Sequence, residues 1–241
     1  MMAERSVKDL KINGVGQASG GVYREIQTEG IATLDGDITC EVLEANGTLK
    51  IKGTIQAGQM SFNGTGSSEG LLQGGKIELD GMLKVHQDVR FTSLHVQGML
   101  QSKGSVIGET AKVDGALKLD GNAEFETAEV DGQLQVGGML NAGNLKLDLE
   151  GPCHAKEIGG EVIVVRQRKG KRLLDYISPM WASRLTVDVI EGDDIRLEGT
   201  KAEVVRGNSV VIGPGCEIGR VEYKEHYEVS PQASVGHAEQ K

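Results

Sequence analysis

The run Gly70 to Lys76 reads Gly-x-x-x-x-Gly-Lys, the front of a phosphate-binding loop. In such a loop backbone N–H groups cradle the phosphates, and a Ser or Thr after the lysine holds Mg²⁺. Here Ile77 follows, and no helix pattern comes next to offer its N-terminus. No nucleotide or other cofactor is therefore expected. A second candidate is the group Asp188, Glu191, Asp193 and Asp194, whose carboxylates could attack a glycosidic bond or weakly hold a cation. Polysaccharide cleavage also calls for aromatic platforms, and aromatic residues are only 3% of the chain. These acids read as a solvated corner.

Ile212-Gly213 and Ile218-Gly219 lie six apart, as in hexapeptide acyltransferases, which also need a general-base histidine in a cleft between subunits. His86 and His95 fall at positions that should point outward, and His154, His226 and His237 have no evident partner. Cys40, Cys153 and Cys216 are odd in number, far apart and in no Cys-x-x-Cys pair, so they read as small core residues in a reducing compartment. No metal site and no enzyme are expected.

The scaffold that would hold such residues is a repeat. From Gly30 to Asp148 the chain divides into seven units of seventeen, starting at Gly30, Gly47, Gly64, Gly81, Gly98, Gly115 and Gly132. A second glycine column follows six residues later, from Gly36 to Gly138, broken by Gln87. Apolar residues come in pairs two apart, at offsets 2 and 4, 8 and 10, and 13 and 15, which is the period of a strand with one buried face. Glycine and Asn/Asp-Gly steps between the pairs supply the positive φ of tight corners. Three short strands and three corners per unit make one coil of a triangular solenoid, and equal columns stack about 4.8 Å apart. The reading is an all-β chain folded as a parallel β-helix. A helical repeat is excluded by 35 glycines in 241 residues.

In chain order, residues 1–9 form a polar lead-in and the coils run over 10–165, with a sixteen-residue coil from Gly14 to Glu29. The unit from Gly64, with Gly66, Ser67 and Ser68, is the weakest and should be the most mobile. The unit from Leu149 keeps phase through Cys153, Val162 and Val164. Residues 166–184 break the pattern. Arg166, Arg168, Lys169, Lys171 and Arg172 crowd positive charge, and Leu173 to Trp181 has helix-like spacing. This predicts an inserted basic loop and short helix, a candidate patch for a membrane or partner. The seventeen-residue period returns over 185–235, with Leu185 and Val187 on Ala202 and Val204, before a tail at 236–241. This C-terminal solenoid segment either continues the first or folds beside it.

Net charge is −9, which disfavours nucleic acid. No apolar run approaches the eighteen residues of a membrane span, and Met1 to Leu10 shows no secretory signal, so a cytoplasmic location is expected.

The glycine-cornered coils, with runs such as Val113-Asp114-Gly115-Ala116-Leu117 and Val130-Asp131-Gly132-Gln133-Leu134, resemble the bactofilins. Ile190-Glu191-Gly192-Asp193-Asp194-Ile195 and Val221-Glu222-Tyr223 look like a larger, Bacillus-type variant of that family. The resemblance implies a right-handed triangular β-helix and a non-enzymatic cytoskeletal scaffold. It also implies nucleotide-independent filaments joined through terminal coils, serving cell shape, envelope organisation or motility. Partners would be other copies of the chain, an envelope or motility protein, and the inner face of the membrane. Relatives attach to membrane by an apolar N-terminal peptide that residues 1–9 lack, which leaves 166–181 as the candidate contact. Physics agrees on the ends: a solenoid terminates in unpaired N–H and C=O groups that invite another copy. Candidate assembly residues are Val22 and Ile26 at one end and Tyr227, Val229 and Val235 at the other. The alternatives are a non-polymeric binding module and a β-helix enzyme of the hexapeptide type.

Overall fold

A computed structural model describes residues 8–167 and 183–241. The fold is all-β, a parallel β-solenoid of about eleven turns with coils of about 17 residues. The chain divides into two compact units, Met1–Gly108 and Glu109–Lys241.

In the first unit lie β1 (Lys8–Ile51), β2 (Ile55–Ser68), β3 (Leu72–Val85) and β4 (Val89–Ser102). β5 (Val106–Leu119) begins here and ends in the second unit. Ile38 pairs with Ile55, Ile55 with Leu72, and Leu72 with Val89, a uniform step of seventeen. The expected three short strands per coil are instead one long run. Pairing passes unbroken through the first glycine column, Gly47 to Gly64 to Gly81 to Gly98; it stops near the second and skips one residue mid-strand, between Cys40–Ala57 and Val42–Gln59 and at the same place in the next coils.

The two columns need glycine for different reasons. Gly64 has φ +123°, left-handed territory for an L residue, and a side chain there would also meet the carbonyl oxygen of Gly47. Gly70, in the second column, has no positive φ; a Cβ there would lie 2.6 Å from the carbonyl carbon of Gly53. At Gly70 the requirement is the close approach of stacked backbones, whereas Gly36, in the same column, has φ +111° and only ordinary contact at 3.4 Å with Gly20. Gly30 would strike Gly14, in keeping with a sixteen-residue first coil.

The core follows the apolar columns: Leu34, Ile51 and Val85 are buried, as are Leu43, Met60, Ile77 and Leu94. Where Ser68 and Ser102 interrupt, each hydroxyl is bonded. Ser68 donates to the carbonyls of Gly53 and Gly70 at 3.3 and 3.2 Å, and Ser102 to that of Gln87 at 2.7 Å. The gap at Gly66 is occupied by neighbours, since a Cβ there would lie 2.7 Å from Leu83 and 3.1 Å from Phe62. Large and small residues alternate, with Phe91 next to Gly74 in register and against Gly108.

The second unit holds β6 (Ala123–Val136), β7 (Met139–Leu149), β8 (Pro152–His154), β9 (Glu157–Gln167), β10 (Arg184–Leu197), β11 (Thr200–Ile212), β12 (Glu217–Val229) and β13 (Ser234–Gln240). Its steps vary, and this corrects three expectations. β7 to β9 is a step of eighteen, Leu145 to Ile163. The extra residue reverses which side chains face in, so Ile163 and Val165 are buried while Val162 and Val164 are half-exposed. β10 to β11 is a step of fifteen: Leu185 lies on Thr200 and Val187 on Ala202. Residues 236–241 are not a tail, because β13 pairs with β12 from Glu217–Ser234 to Tyr223–Gln240. Val210–Tyr227, Ile212–Val229 and Ile218–Val235 stack as expected.

β9 pairs directly with β10, Ile163 with Ile195, so the C-terminal segment continues the solenoid. That register step is thirty-two. Gln167 and Ser183, which bracket the intervening residues, are joined by a 2.9 Å bond from Gln167 Nε2 to the Ser183 carbonyl. The expected helix, and Arg168, Lys169, Lys171, Arg172 and Trp181 with it, lie outside the described residues; Arg166 is exposed near the end of β9.

Candidate functional site

The phosphate-loop sequence is consumed by strand pairing. Gly70 N–H donates to the Gly53 carbonyl at 3.2 Å, Gly75 and Lys76 lie inside β3, and Lys76 Nζ pairs with Glu78 at 2.7 Å. That hydrogen bond holds the Glu78 carboxyl below its ordinary value. No anion cradle forms there. Of the acidic corner, Glu191 and Asp193 line a groove of about 360 Å³ with Gly192, Arg206, Asn208 and Tyr223. Asn208 donates to Asp193 at 2.7 Å, and Arg206 lies 3.8 Å from Glu191 and 3.1 Å from Glu222, so the next coils meet these acids. Among the described residues no group of three His, Cys, Asp or Glu is placed to hold a metal.

The three cysteines are buried and unpaired. Burial pushes the Cys40 and Cys153 thiols up to about 11 and raises Cys216 as well. Cys153 accepts from the Leu134 N–H at 3.3 Å, a packing role. His86, His154, His226 and His237 are exposed, the last two 3.9 and 4.0 Å from Glu228 and Glu239.

The end layers differ from the rest. In the second unit β13 has a single neighbour, β12, and covers it only as far as Tyr223. The inward columns are left uncovered there. Val229 is 42% exposed, although Ile212, beneath it in the same column, is 0%. Tyr227 and Val235 are half-exposed, and Ala238, on the fully buried Val221, is exposed. The Tyr223 and Tyr227 rings stack at 5.1 Å beside this edge. Sequence reading missed Ala238; its seventeen-residue offset from Val221 is the signal. In the first unit Val22 is 66% exposed, whereas Ile26 is fully buried and offers nothing to another copy.

The chain is similar in sequence to a known protein. The chain is 59% identical to YhbE of Bacillus subtilis (strain 168) over 230 residues, 95% of this chain and 96% of that protein. The chain belongs to the YhbE family. YhbF of the same organism is 43% identical over 99 residues, 41% of this chain; the match spans about two fifths, 40%, of YhbF. No family model matches, and no solved structure matches. A match over 95% of the chain takes in sequence from both units. No helix among the described residues is long and apolar enough to cross a membrane.

Proposed function

We propose that the protein is a non-enzymatic structural scaffold of the bactofilin type, whose copies add end to end through their outermost coils without nucleotide. The observation that carries this is the open C-terminal layer, where Val229 is exposed in a column that is buried one coil below. Covering Tyr227, Val229, Val235 and Ala238 would remove apolar surface from water at about 25 cal/mol per Å² and pair the free edge of β12. Val22 offers a smaller apolar contact in the first coil. Such a filament could organise cell shape, envelope or motility machinery from the cytoplasm, with Arg166 marking where a basic contact to a partner or the inner membrane face would begin.

Pelleting tests the reading. Wild-type protein should sediment in high-speed centrifugation without added nucleotide. Val229→Lys should stay in the supernatant while melting within about 3 °C of wild type, since the substituted side chain is at the surface. Unchanged sedimentation of a folded Val229→Lys protein would refute the end-contact reading.

A further inference from the structure

One column of the first unit lies outside the core columns and is nevertheless apolar at four of its six positions. In the first unit the residue after each first-column glycine lies outside the core, whereas Ala116, after Gly115 in the second unit, is buried. Thr48 pairs with Thr65, Thr65 with Met82, and Met82 with Met99. Gly14 and Gly30 stack against each other and Gly30 against Gly47, so Val15 and Ile31 extend the same column. Val15 is 83% and Ile31 54% exposed, Thr48 and Thr65 are exposed, and Met82 and Met99 are half-exposed. An inward role explains none of the six, because the core columns begin one residue later, at Ala32, Leu49, Leu83 and Leu100.

The stripe is edged asymmetrically. Two residues before it in successive coils come Glu29, Asn46, Asn63, Asp80 and Gln97; two residues after it come Thr33, Lys50, Ser67, Lys84 and Gln101. Glu29, Asp80 and Lys84 make no ion pair among the described residues. Consider a second copy facing the stripe. A twofold axis parallel to the stripe sets each coil against its own counterpart and exchanges the two margins. Lys84 then faces the second copy's Asp80, Thr33 its Glu29, Lys50 its Asn46 and Gln101 its Gln97, with Met82 on Met82. A twofold axis across the stripe would put the acidic margin against itself. Charge complementarity therefore selects the parallel arrangement.

We infer that the Val15–Ile31–Thr48–Thr65–Met82–Met99 stripe is a lateral docking surface for a second copy of this chain running side by side in the same direction. Five coil steps of about 4.8 Å and a width of about 10 Å give roughly 240 Å² per copy, against about 800 Å² for a stable pair. One pair of chains is thus held weakly. Along two filaments the contact repeats, and avidity makes it firm. In that strength, though not in its geometry, the inference rests on the filament reading.

Cross-linking tests it on the full chain, whose own thiols are buried. Met82→Cys and Ile31→Cys, each treated with a short bismaleimide, should form covalent dimers well above Gln73→Cys, an exposed control on another wall. Lys84→Asp added to Met82→Cys should lower the dimer yield roughly tenfold, and Asp80→Lys together with Lys84→Asp should restore it. Dimer yields no higher than the Gln73→Cys control overturn the inference. Preferential joining of Ile31→Cys to Met82→Cys in a mixed sample overturns the parallel register. Cross-links without filaments would remove the filament reading and leave the stripe standing; single filaments without cross-links would do the reverse.

Discussion

At the scale of single residues, glycine is the position-specific requirement, and its two columns should respond to substitution for different reasons. Gly64→Ala forces an L residue to φ +123° and drives a methyl into the backbone of the coil below. Urea unfolding should show a loss of at least about 2 kcal/mol. A loss below about 0.5 kcal/mol would contradict the assigned corner geometry. The cysteines give a second test. Burial raises Cys40 and Cys153 to about 11, so at pH 8 both remain protonated thiols, and the thiolate is the species that reacts. Iodoacetamide at pH 8 should leave all three unmodified in native protein and label all three in denaturant. Rapid native labelling would show that the core opens there. Both columns of glycine were legible in the sequence, but in the second the assigned positive φ holds at Gly36 and not at Gly53 or Gly70. A seventeen-residue spacing shows that glycine recurs; it does not distinguish a left-handed corner from a close backbone approach, as at Gly70.

At the scale of the coil, register decides. Where one phase alone buries apolar residues, from Ile38 to Val96, the sequence pattern and the structure coincide. Where both phases are apolar they diverge. Val162, Ile163, Val164 and Val165 would suit either face, and only the eighteen-residue step selects Ile163 and Val165. Val204-Val205 is ambiguous in the same way, and Val205 is the buried one. The fifteen-residue step from β10 to β11 was hidden for that reason. The thirty-two-residue step between β9 and β10, closed by the Gln167–Ser183 bond, predicts that residues 168–182 are dispensable for folding. Replacing them with a short Gly/Ser link should move the melting temperature by less than about 5 °C. A larger fall would mean that this segment covers strands the solenoid needs covered. Of the candidate site, Tyr227, Val229 and Val235 were readable as the last members of apolar columns. Ile26 was misplaced, because the coil preceding it already begins at Lys8. The outward stripe escaped notice because its middle members, Thr48 and Thr65, are polar enough to look like ordinary surface.

At the scale of the whole molecule, stability comes from each coil lending its edge and its apolar columns to the next. An isolated copy leaves that lending unfinished at its ends, where apolar columns reach solvent. On the proposed end-to-end assembly, another copy completes them. The most direct test is negative-stain electron microscopy of purified full-length protein with no nucleotide present. Unbranched filaments that persist after exhaustive dialysis are the predicted result, paired side by side where the lateral stripe is intact. A field of uniform, separate particles at every concentration would contradict the claim.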